Sequence, residues 1–336
     1  MTKIAINGLG RMGKLVIRSF FDLGLDAEIV LLNDGEGDAG LHAHLLEFDT
    51  VHGRWRADFA HDADSITIDG HKMRFTTTRD LSDLPLGEMG IDLVVDCTGA
   101  FKTNARLQPY FDACVKKVVV SAPVKEDDVA NIVYGVNHDI YDANAHKVIT
   151  AASCTTNCIA PVVQVINEHL GIEQASFTTI HDVTNTQVIV DKVHKDPRRA
   201  RSALNSLIPT TTGSAKAIIQ IFPELEGRID GHAVRVPLLN ASLTDIVFDV
   251  SRDTTAEEVN DLFEEAAKGP LEGILGYETR PLVSTDYTND DRSTIVDALS
   301  TRVVNKRHVK IYAWYDNEWG YAWRLADVTR MVIASL

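Results

Sequence analysis

Cys154 and His181 are the two residues whose types and surroundings suggest covalent chemistry. Cys154 opens the segment 154–170, in which apolar residues recur at helical spacing. The first turn of a helix stabilises a thiolate, the reactive form of cysteine. His181 ends the apolar segment 175–181, and a base beside a thiol lowers the thiol pKa. Each residue taken singly is more often structural, so the prediction of a nucleophile and its base depends on the pair.

A glycine-rich segment near the N-terminus has the pattern of a dinucleotide site. Gly8, Gly10 and Gly13 form G-x-G-x-x-G directly after the predicted strand 3–7, and Asp34 ends the next strand. Such glycines let the backbone approach a pyrophosphate at the start of a helix. The aspartate would accept hydrogen bonds from ribose hydroxyls and repel a 2′-phosphate. A glycine-rich turn in another α/β protein is the alternative, but the pattern favours NAD.

A nicotinamide cofactor and a reactive cysteine together predict the oxidation of an aldehyde. The thiolate adds to the carbonyl carbon and gives a hemithioacetal. A hydride then leaves to the nicotinamide, and a thioester remains for a second nucleophile.

Composition narrows the class of protein. The 336 residues indicate about two domains, and the net charge of −15 disfavours nucleic acid and anionic membranes as main partners. Four cysteines are too few for a disulfide framework, so a cytoplasmic location is expected. Cys97 and Cys114 are expected in the core. No cluster with metal-ligand spacing is evident, so no metal site is predicted.

The periodicity of the chain predicts two kinds of sheet. The first half contains short apolar strands in a βαβ rhythm, which favours a Rossmann-type, doubly wound parallel sheet: 3–7, 29–33, 93–97, 117–121 and 132–136. Residues 66–75 read as a hairpin. The second half predicts an α+β domain with a mostly antiparallel sheet, whose strands are 175–181, 233–237, 243–250 and 309–315. Thr254 and Glu257 form the pattern of a capping box for a helix that ends near Gly269.

Several stretches together carry a resemblance to a known family. The sequence closely resembles phosphorylating glyceraldehyde-3-phosphate dehydrogenases over essentially its whole length. The matching stretches are INGLGRMG (6–13), DCTGAF (96–101), ASCTTNC (152–158), HDVT (181–184), HKDPRRAR (194–201), IPTTTGSAKA (208–217), AVRVPLLNASLTD (233–245) and YDNEWGYAWR (315–324).

The resemblance implies roles for individual residues. Cys154 would be the nucleophile and His181 its activating partner, and Asn317 would orient the nicotinamide carboxamide. NAD would contact Gly8, Gly10, Arg11, Met12, Gly13, Asp34, Arg79, Thr98, Ser121 and Asn317. Glyceraldehyde 3-phosphate and inorganic phosphate would contact Ser153, Thr155, Thr184, Arg198, Thr212, Gly213 and Arg235. Of the basic run 198–201, only Arg198 is expected to contact an anion.

The same resemblance implies an organisation. Residues 1–152 would form the NAD-binding domain, residues 153–316 the catalytic domain, and residues 317–336 a C-terminal helix that returns to the NAD-binding domain. Family members are homotetramers, so a homotetramer is expected, with the loop of about 183–205 near a neighbouring subunit's cofactor.

The sequence also departs from the common family pattern. Asp182 and Val183 replace a common alanine and a common aromatic residue, and Lys192-Val193 replaces a common Leu-Pro. Lys192 could meet a 2′-phosphate, so NADP is expected as a weaker second cofactor. With Leu9 and Met12, these variants look most like a bacterial subgroup encoded in arsenic-resistance operons. There arsenate would replace phosphate and give 1-arseno-3-phosphoglycerate in place of 1,3-bisphosphoglycerate.

Two alternatives stay open. Erythrose-4-phosphate dehydrogenases share this scaffold, but they usually lose the second phosphate motif, which is intact here as Thr210–Gly213. A non-catalytic role, such as RNA binding through the dinucleotide fold, is the other alternative. The complete set of Cys154, His181 and Asn317, together with the acidic charge, argues against it as the main role.

Overall fold

The computed structural model describes residues 1–336. The chain divides into two compact units. The first contains residues 1–153 and 322–336, and the second contains residues 154–321.

The first unit is built from nine strands and four helices before the final helix of the chain. The strands are β1 (Thr2–Asn7), β2 (Ala27–Asn33), β3 (Phe59–His61), β4 (Ser65–Ile68), β5 (His71–Thr76), β6 (Leu93–Asp96), β7 (Lys117–Val120), β8 (Ala130–Asn131) and β9 (Val148–Thr150). The helices are α1 (Arg11–Leu23), α2 (Ala39–Glu47), α3 (Leu86–Met89) and α4 (Asn104–Asp112).

The nine strands form one sheet in the order β3-β4-β5-β2-β1-β6-β7-β9-β8. Strand β1 lies between β2 and β6 and runs parallel to both. The first crossover leads to β2 on one side of β1, and the later strands β6, β7 and β9 lie on the other side. This reversal is the topological switch point at which α/β sheets bind ligands. The predicted hairpin is present as antiparallel β4 and β5, and the Rossmann-type fold is confirmed.

One predicted strand of this sheet is wrong. Residues 132–136 form a turn, while the short strand β8 ends before them and β9 follows later. Gly135 has a φ of +89°, and the Asn137 side chain accepts a hydrogen bond from the N–H of Val133. A positive φ and a side-chain hydrogen bond to a nearby backbone N–H are both typical of a turn, and a strand requires neither. The apolar residues Ile132 and Val133 are nevertheless buried.

The second unit contains eight strands and three helices, followed by the start of the last helix. The strands are β10 (Ile172–His181), β11 (Ile208–Thr210), β12 (Ile229–Arg235), β13 (Ser242–Val250), β14 (Leu275–Glu278), β15 (Thr294–Asp297), β16 (Arg302–Val304) and β17 (His308–Tyr315). The helices are α5 (Cys154–Leu170), α6 (Ser214–Ile221) and α7 (Ala256–Lys268). The sheet order is β11-β12-β10-β13-β17-β15-β14, with β16 beside β17.

The second sheet is mostly antiparallel, as the alternating residues of β13 predict. Every second residue of β13 is buried, and the residues between them are half-buried. Helix α5 packs against β13, β15 and β17. Apolar residues lie on most of its surface, because neighbours cover it on more than one side. The sheet therefore supports α5 and with it the position of Cys154, the first residue of α5.

The start of α7 differs from the sequence prediction by one residue. Thr255, and not Thr254, is the N-cap, and its hydroxyl accepts a hydrogen bond from the N–H of Glu258. Thr254 is buried instead and donates to the Glu258 carboxylate at 2.7 Å. Two adjacent threonines fit the capping pattern equally well in sequence, so burial of the first decides which one caps the helix.

The last helix, α8 (Trp319–Ile333), contains the boundary between the two units. None of the helices has both the length and the apolar character that a bilayer span requires. All four cysteines are free thiols. The expectation of a core position for Cys114 is wrong, because this residue is exposed and follows α4 with a φ of +66°.

Candidate active site

The glycine loop between β1 and α1 is shaped for close backbone packing. Gly8 has a φ of +91°, and a Cβ there would lie 2.6 Å from the backbone N of Thr98. A Cβ on Gly13 would lie 1.9 Å from the carbonyl oxygen of Gly8. A Cβ on Gly10 would meet nothing within 4 Å, so the N-cap of α1 faces open space. Two glycines thus pack the loop and the third leaves room at a helix N-terminus, which fits a pyrophosphate.

A cleft of about 470 Å³ lies beside this loop. Its lining includes five of the residues predicted to contact NAD: Gly8, Gly10, Asp34, Arg79 and Thr98. The carboxylate of Asp34 accepts hydrogen bonds from the N–H of Leu9 at 2.7 Å and from the N–H of Glu36 at 3.0 Å. Asp34 therefore holds the glycine loop in addition to carrying the charge predicted to select against a 2′-phosphate.

Other residues predicted to contact NAD lie outside the lining of this cleft: Arg11, Met12, Gly13 and Ser121. Arg11 is the first residue of α1 and forms an ion pair with Asp49. The N–H of Ser121 donates to the carbonyl oxygen of Asp96 at the end of β6. The predicted cofactor contacts of these residues stay predictions.

Sequence reasoning missed several residues of the cleft. Asn7 and Asn33 end β1 and β2, and the Asn33 amide donates to the Asn7 side-chain oxygen at 2.7 Å. Their place at the carboxyl ends of parallel strands was a usable signal. Glu36 also lines the cleft and lies 3.2 Å from Arg79 in an exposed ion pair. Lys14 is close to Asp34, and burial lowers the pKa of its ammonium group to about 8.

In the second unit, the fold brings Cys154 and His181 into contact. The Sγ atom of Cys154 lies 3.7 Å from Nε2 of His181, although 27 positions separate them in sequence. Cys154 is the first residue of α5, and His181 is the last residue of β10. The thiol therefore has a helix dipole behind it and a ring nitrogen in front of it. This is the geometry expected of an activated nucleophile and its base.

The electrostatics of the pair favour the thiolate and the imidazolium. Burial is the largest influence on Cys154 and raises its thiol pKa, but the contact with His181 and the charges of His181 and Arg235 outweigh it and lower the pKa. Burial lowers the pKa of His181, whereas contacts with Asp182 and Cys154 raise it, to about 9 overall. The ring therefore carries its proton at neutral pH and loses it as the pH rises through about 9.

Cys158 provides a contrast one helical turn later. It is fully buried, and its thiol contacts the hydroxyl of Thr294 at 3.4 Å and that of Thr244 at 3.7 Å. Burial raises its pKa to about 12. Two cysteines four residues apart thus have opposite characters, because only the first meets a cationic partner.

Arg235 and Asp182 surround the other side of the His181 ring. The Nη1 atom of Arg235 lies 2.7 Å from Nδ1 of His181 and donates to the Asp182 carbonyl oxygen at 3.0 Å. Burial lowers the pKa of Arg235, and its Nε is buried without a hydrogen-bond acceptor. A buried, unpartnered guanidinium nitrogen is a favourable place for an anion.

The remaining residues predicted to bind substrate or phosphate have varied surroundings. Gly213 is the N-cap of α6, and the Thr212 hydroxyl accepts from the N–H of Ser214 at 3.2 Å, so a helix start and a hydroxyl lie together. Thr184 is half-buried and its hydroxyl donates to Gln187. Ser153 immediately precedes α5. Thr155 is buried, and its hydroxyl shares a 3.0 Å hydrogen bond with Tyr315.

The basic run after residue 197 is arranged differently from the expectation that singled out Arg198. Arg198 is exposed, and its backbone N–H donates to Asp196. Arg199 is half-buried, and its Nη1 donates to the Thr186 hydroxyl at 3.4 Å. The charge of Arg199 is near enough to lower the pKa of Arg235, after the larger influence of burial. Arg199 is therefore a second cation close to Arg235 that sequence reasoning did not select.

Asn317 lies in the same unit as the Cys154–His181 pair. It is buried, and its side-chain oxygen accepts a 3.0 Å hydrogen bond from the hydroxyl of Ser242. Its side chain also interacts with the Asp182 carboxyl and acts to lower the pKa of that group. The loop after β10 and the loop after β17 are thus connected through these side chains.

The comparison with known proteins gives a family match in each of the two units. Residues 2–104 match the NAD binding domain of glyceraldehyde 3-phosphate dehydrogenase, and residues 153–317 match the C-terminal domain of that enzyme. The chain is 55% identical over 335 residues to glyceraldehyde-3-phosphate dehydrogenase 3 of Nostoc sp., which covers 99% of each chain. It is 46% identical to glyceraldehyde-3-phosphate dehydrogenase 2 of Streptomyces avermitilis, with 98% of each chain covered. It is also 46% identical to glyceraldehyde-3-phosphate dehydrogenase 2 of Bacillus subtilis, with 99% of this chain and 97% of the relative covered.

The chain belongs to the glyceraldehyde-3-phosphate dehydrogenase family. The expectations of a dehydrogenase class and of NAD as the cofactor are confirmed.

The charge of Asp34 generates a prediction about cofactor choice. Asp34→Asn keeps the shape of the side chain and removes the charge that repels a 2′-phosphate. We expect the ratio of NADP to NAD efficiency (kcat/KM) to rise about tenfold, which corresponds to about 1.4 kcal/mol. Glu36→Gln is the matched control from the same cleft, and it should change the ratio less. An unchanged ratio in Asp34→Asn would show that this carboxylate does not select the cofactor.

Proposed function

We propose that this chain oxidises D-glyceraldehyde 3-phosphate in the presence of NAD and inorganic phosphate, through a hemithioacetal and a thioester on Cys154. The observation that carries the proposal is the 3.7 Å contact between Cys154 Sγ and His181 Nε2 at the start of α5. Membership of the family supports the substrates. The product with phosphate is 1,3-bisphosphoglycerate.

The residues of the second unit supply each step at the sulfur. The Cys154 thiolate attacks the aldehyde carbon, and the imidazolium of His181 transfers its Nε2 proton to the oxygen that becomes negative, which gives the hemithioacetal hydroxyl and a neutral ring. The same ring then accepts the hydroxyl proton of the hemithioacetal as the carbonyl re-forms. Attack of a phosphate oxygen on the thioester gives the acyl phosphate and returns the thiolate, which the helix dipole and His181 stabilise.

The glycine loop fits NAD, because Gly10 leaves room at the start of α1 and Asp34 lines the cleft beside it. NAD, when bound, supplies the hydride acceptor of the oxidation step. Gly8, Gly10 and the N-terminus of α1 would hold the pyrophosphate, and Asp34 would accept hydrogen bonds from the adenosine ribose. Asn317 is the proposed partner of the nicotinamide carboxamide.

Two phosphate groups need cations in a protein of net charge −15. We assign Arg235 and Arg199 to this task together with Thr184, because one buried guanidinium nitrogen is unpartnered and the two arginines are near each other. Ser153, Thr155, Thr212 and Gly213 are proposed for the second anion. For Thr212 and Gly213 the support is a hydroxyl at a helix N-cap, and Arg198 is retained as a more exposed candidate.

A finer proposal concerns the acceptor of the acyl group. Arsenate and phosphate are tetrahedral oxyanions of similar size and charge, so arginines and hydroxyls discriminate poorly between them. We propose that arsenate is a physiological acceptor, which would give 1-arseno-3-phosphoglycerate. The support is the resemblance of Leu9, Met12, the stretch 181–187 and Lys192-Val193 to the arsenic-operon subgroup.

We also propose a homotetramer. The irregular segment between β10 and β11 exposes a group of large apolar side chains: Ile189, Val190, Val193, Leu204 and Leu207. Exposed apolar side chains at this density mark an interaction surface, and a second copy of this chain is the occupant that the family resemblance supports.

We propose domain limits of 1–152, 153–316 and 317–336, and the unit boundary after Ser153 supports the first of these limits. A cytoplasmic location stays a prediction.

The nucleophile is tested by exchanging the two cysteines of α5 separately. Cys154→Ser should lower NADH formation by roughly a thousandfold or more, since serine is a far weaker nucleophile, and NAD binding should persist. Cys158→Ser is the matched control, and it should keep most of the activity because its thiol is buried and protonated. Assays with glyceraldehyde 3-phosphate and with erythrose 4-phosphate show which aldehyde is preferred. Near-normal NADH formation by Cys154→Ser would reject the mechanism.

The two neighbouring arginines give a prediction about phosphate. Arg199→Leu should weaken the apparent affinity for phosphate or for the phosphorylated aldehyde by about 1.5–3 kcal/mol, the range for a charge-assisted hydrogen bond. Arg198→Leu should have a smaller effect, because that side chain is exposed. Initial-rate measurements at varied phosphate and varied aldehyde separate the two anion sites. The reverse order of effects would restore Arg198 as the principal cation.

The proposed tetramer predicts a solution mass of four chains by light scattering. Val193→Asp combined with Leu207→Asp places charge on the exposed apolar segment and should shift the mass towards smaller species. Thr279→Asp, on an exposed residue elsewhere in the same unit, should leave the mass unchanged. A monomeric wild-type protein would contradict the proposal.

The arsenate proposal needs a cellular test, because arsenate use in vitro follows from oxyanion similarity alone. Deletion of the gene should sensitise the host to arsenate and spare its growth on glucose, provided that an efflux permease for the product is present. A deletion that stops glycolytic growth and leaves arsenate tolerance unchanged would assign the enzyme to central metabolism.

A further inference from the structure

Asp182 is a buried carboxylate that the proposed reaction has not yet used. Its side chain is fully buried, and one carboxylate oxygen lies 2.8 Å from Nδ1 of His181. Neither carboxylate oxygen has a well-aligned hydrogen bond, to the ring or to any other group, although the Asn317 side chain is near enough to act on the pKa of the carboxyl. A buried carboxylate is costly unless a cation or donors compensate it. The position of Asp182 directly against the ring that contacts Cys154 therefore needs an explanation.

The two nitrogens of His181 face opposite partners. Nε2 is 3.7 Å from Cys154 Sγ, while Nδ1 is near the carboxylate and also 2.9 Å from the carbonyl oxygen of Asp182. An acceptor at Nδ1 favours a proton on that nitrogen. When Nδ1 carries a proton, the nitrogen that faces the sulfur, Nε2, carries one too only if the ring is the charged imidazolium.

We propose that Asp182 is a positioning residue of this site: its carboxylate holds the Nδ1 proton of His181 and thereby keeps an Nε2–H directed at Cys154. This inference rests on the proposed Cys154–His181 pair and extends it to a cysteine–histidine–aspartate arrangement. A carboxylate in this place fixes the orientation and protonation of the ring without itself exchanging protons with the substrate.

Arg235 competes with Asp182 for the same ring nitrogen. A guanidinium can only donate, so the 2.7 Å contact of Arg235 Nη1 with Nδ1 requires a lone pair on Nδ1, whereas the carboxylate contact requires a proton there. The two contacts therefore belong to different protonation states of His181. An anion that draws the Arg235 guanidinium away from the ring favours the state in which Asp182 holds the proton.

Other charged or titratable groups around the ring do not replace Asp182. Cys154 faces Nε2, on the other side of the ring from Asp182, and Tyr315 presents its ring edge-on at 6.1 Å between centroids. Burial raises the pKa of Tyr315 well above its usual range, so it stays neutral. Glu318 is near enough to Asp182 to raise the pKa of that carboxyl, after the larger effect of burial. Asp182 is thus the carboxylate in direct contact with Nδ1.

The test compares Asp182→Asn with the wild-type enzyme across pH. Loss of the charge removes the stabilisation of the imidazolium, so the alkaline decline of kcat should move towards neutral pH by about one unit or more. The rate of Cys154 alkylation by iodoacetamide at neutral pH should fall roughly tenfold, because less of the pair is thiolate and imidazolium. The KM for the aldehyde should change little.

Two further variants make the outcome specific. Ser242→Ala removes the hydroxyl that accepts from the N–H of Asp182 and donates to Asn317, and it alters no charge. Its rate can fall, but its pH profile should keep its position. His181→Asn should itself shift the alkylation profile to higher pH. An unshifted alkylation profile in His181→Asn would reject the Cys154–His181 pair. A shifted profile in His181→Asn, together with unshifted rate and alkylation profiles in Asp182→Asn, would overturn only the role of Asp182.

Asp182→Ala serves if the asparagine variant does not fold. Alanine also removes the charge, and it leaves no side-chain hydrogen-bonding group beside the ring. A folded Asp182→Ala with an unshifted alkaline limb, even at a reduced rate, would overturn the proposal. A shift equal to that expected for Asp182→Asn would support it.

Discussion

The stabilisation of the proposed Cys154 thiolate against burial is the constraint on which the second unit depends. Burial alone opposes the charge on Cys154, so cations and dipoles must outweigh it. The N-terminus of α5, the His181 ring and the Arg235 guanidinium together supply that positive potential. Cys158, in the same helix and fully buried, lacks such partners and remains a protonated thiol. Partners, and not residue type, decide which thiol has a lowered pKa.

The strands are arranged so that these partners meet. Strand β10 runs parallel to β12, and the register pairs His181 with Arg235 at the ends of the two strands. Strand β13 lies antiparallel on the other side of β10, and β17 follows it. The loop after β17 then carries Asn317, which accepts from Ser242 at the start of β13. Charged and polar groups thus collect at one end of these strands, while the buried residues of β13 support the packing of the sheet against α5.

The first unit solves a different problem, which is to bind an anionic cofactor in a strongly acidic protein. Backbone N–H groups at the start of α1 are proposed to meet its phosphates, and Asp34 in the lining of the cleft is proposed to meet its ribose hydroxyls. The Asp34 carboxylate accepts from Leu9 N–H, so the residue proposed to choose the cofactor also fixes the loop that receives the cofactor's phosphates. A substitution at Asp34 therefore affects both loop shape and charge.

The sequence by itself determined the two kinds of sheet, the bounds of α5 and the glycine loop, and it selected Cys154 and His181, which the fold brings into contact. These features have local signals: strand and helix periodicity, glycines at fixed spacing, and a cysteine at a helix start. Only the tertiary structure decided that Thr255 caps α7, that residues 132–136 turn, and that Arg199 and Asp182 lie against the site. Each of these depends on burial and on neighbours distant in the chain. Adjacent residues of the same type, such as Arg198 and Arg199, are equivalent in sequence until the backbone turns one inward and the other outward.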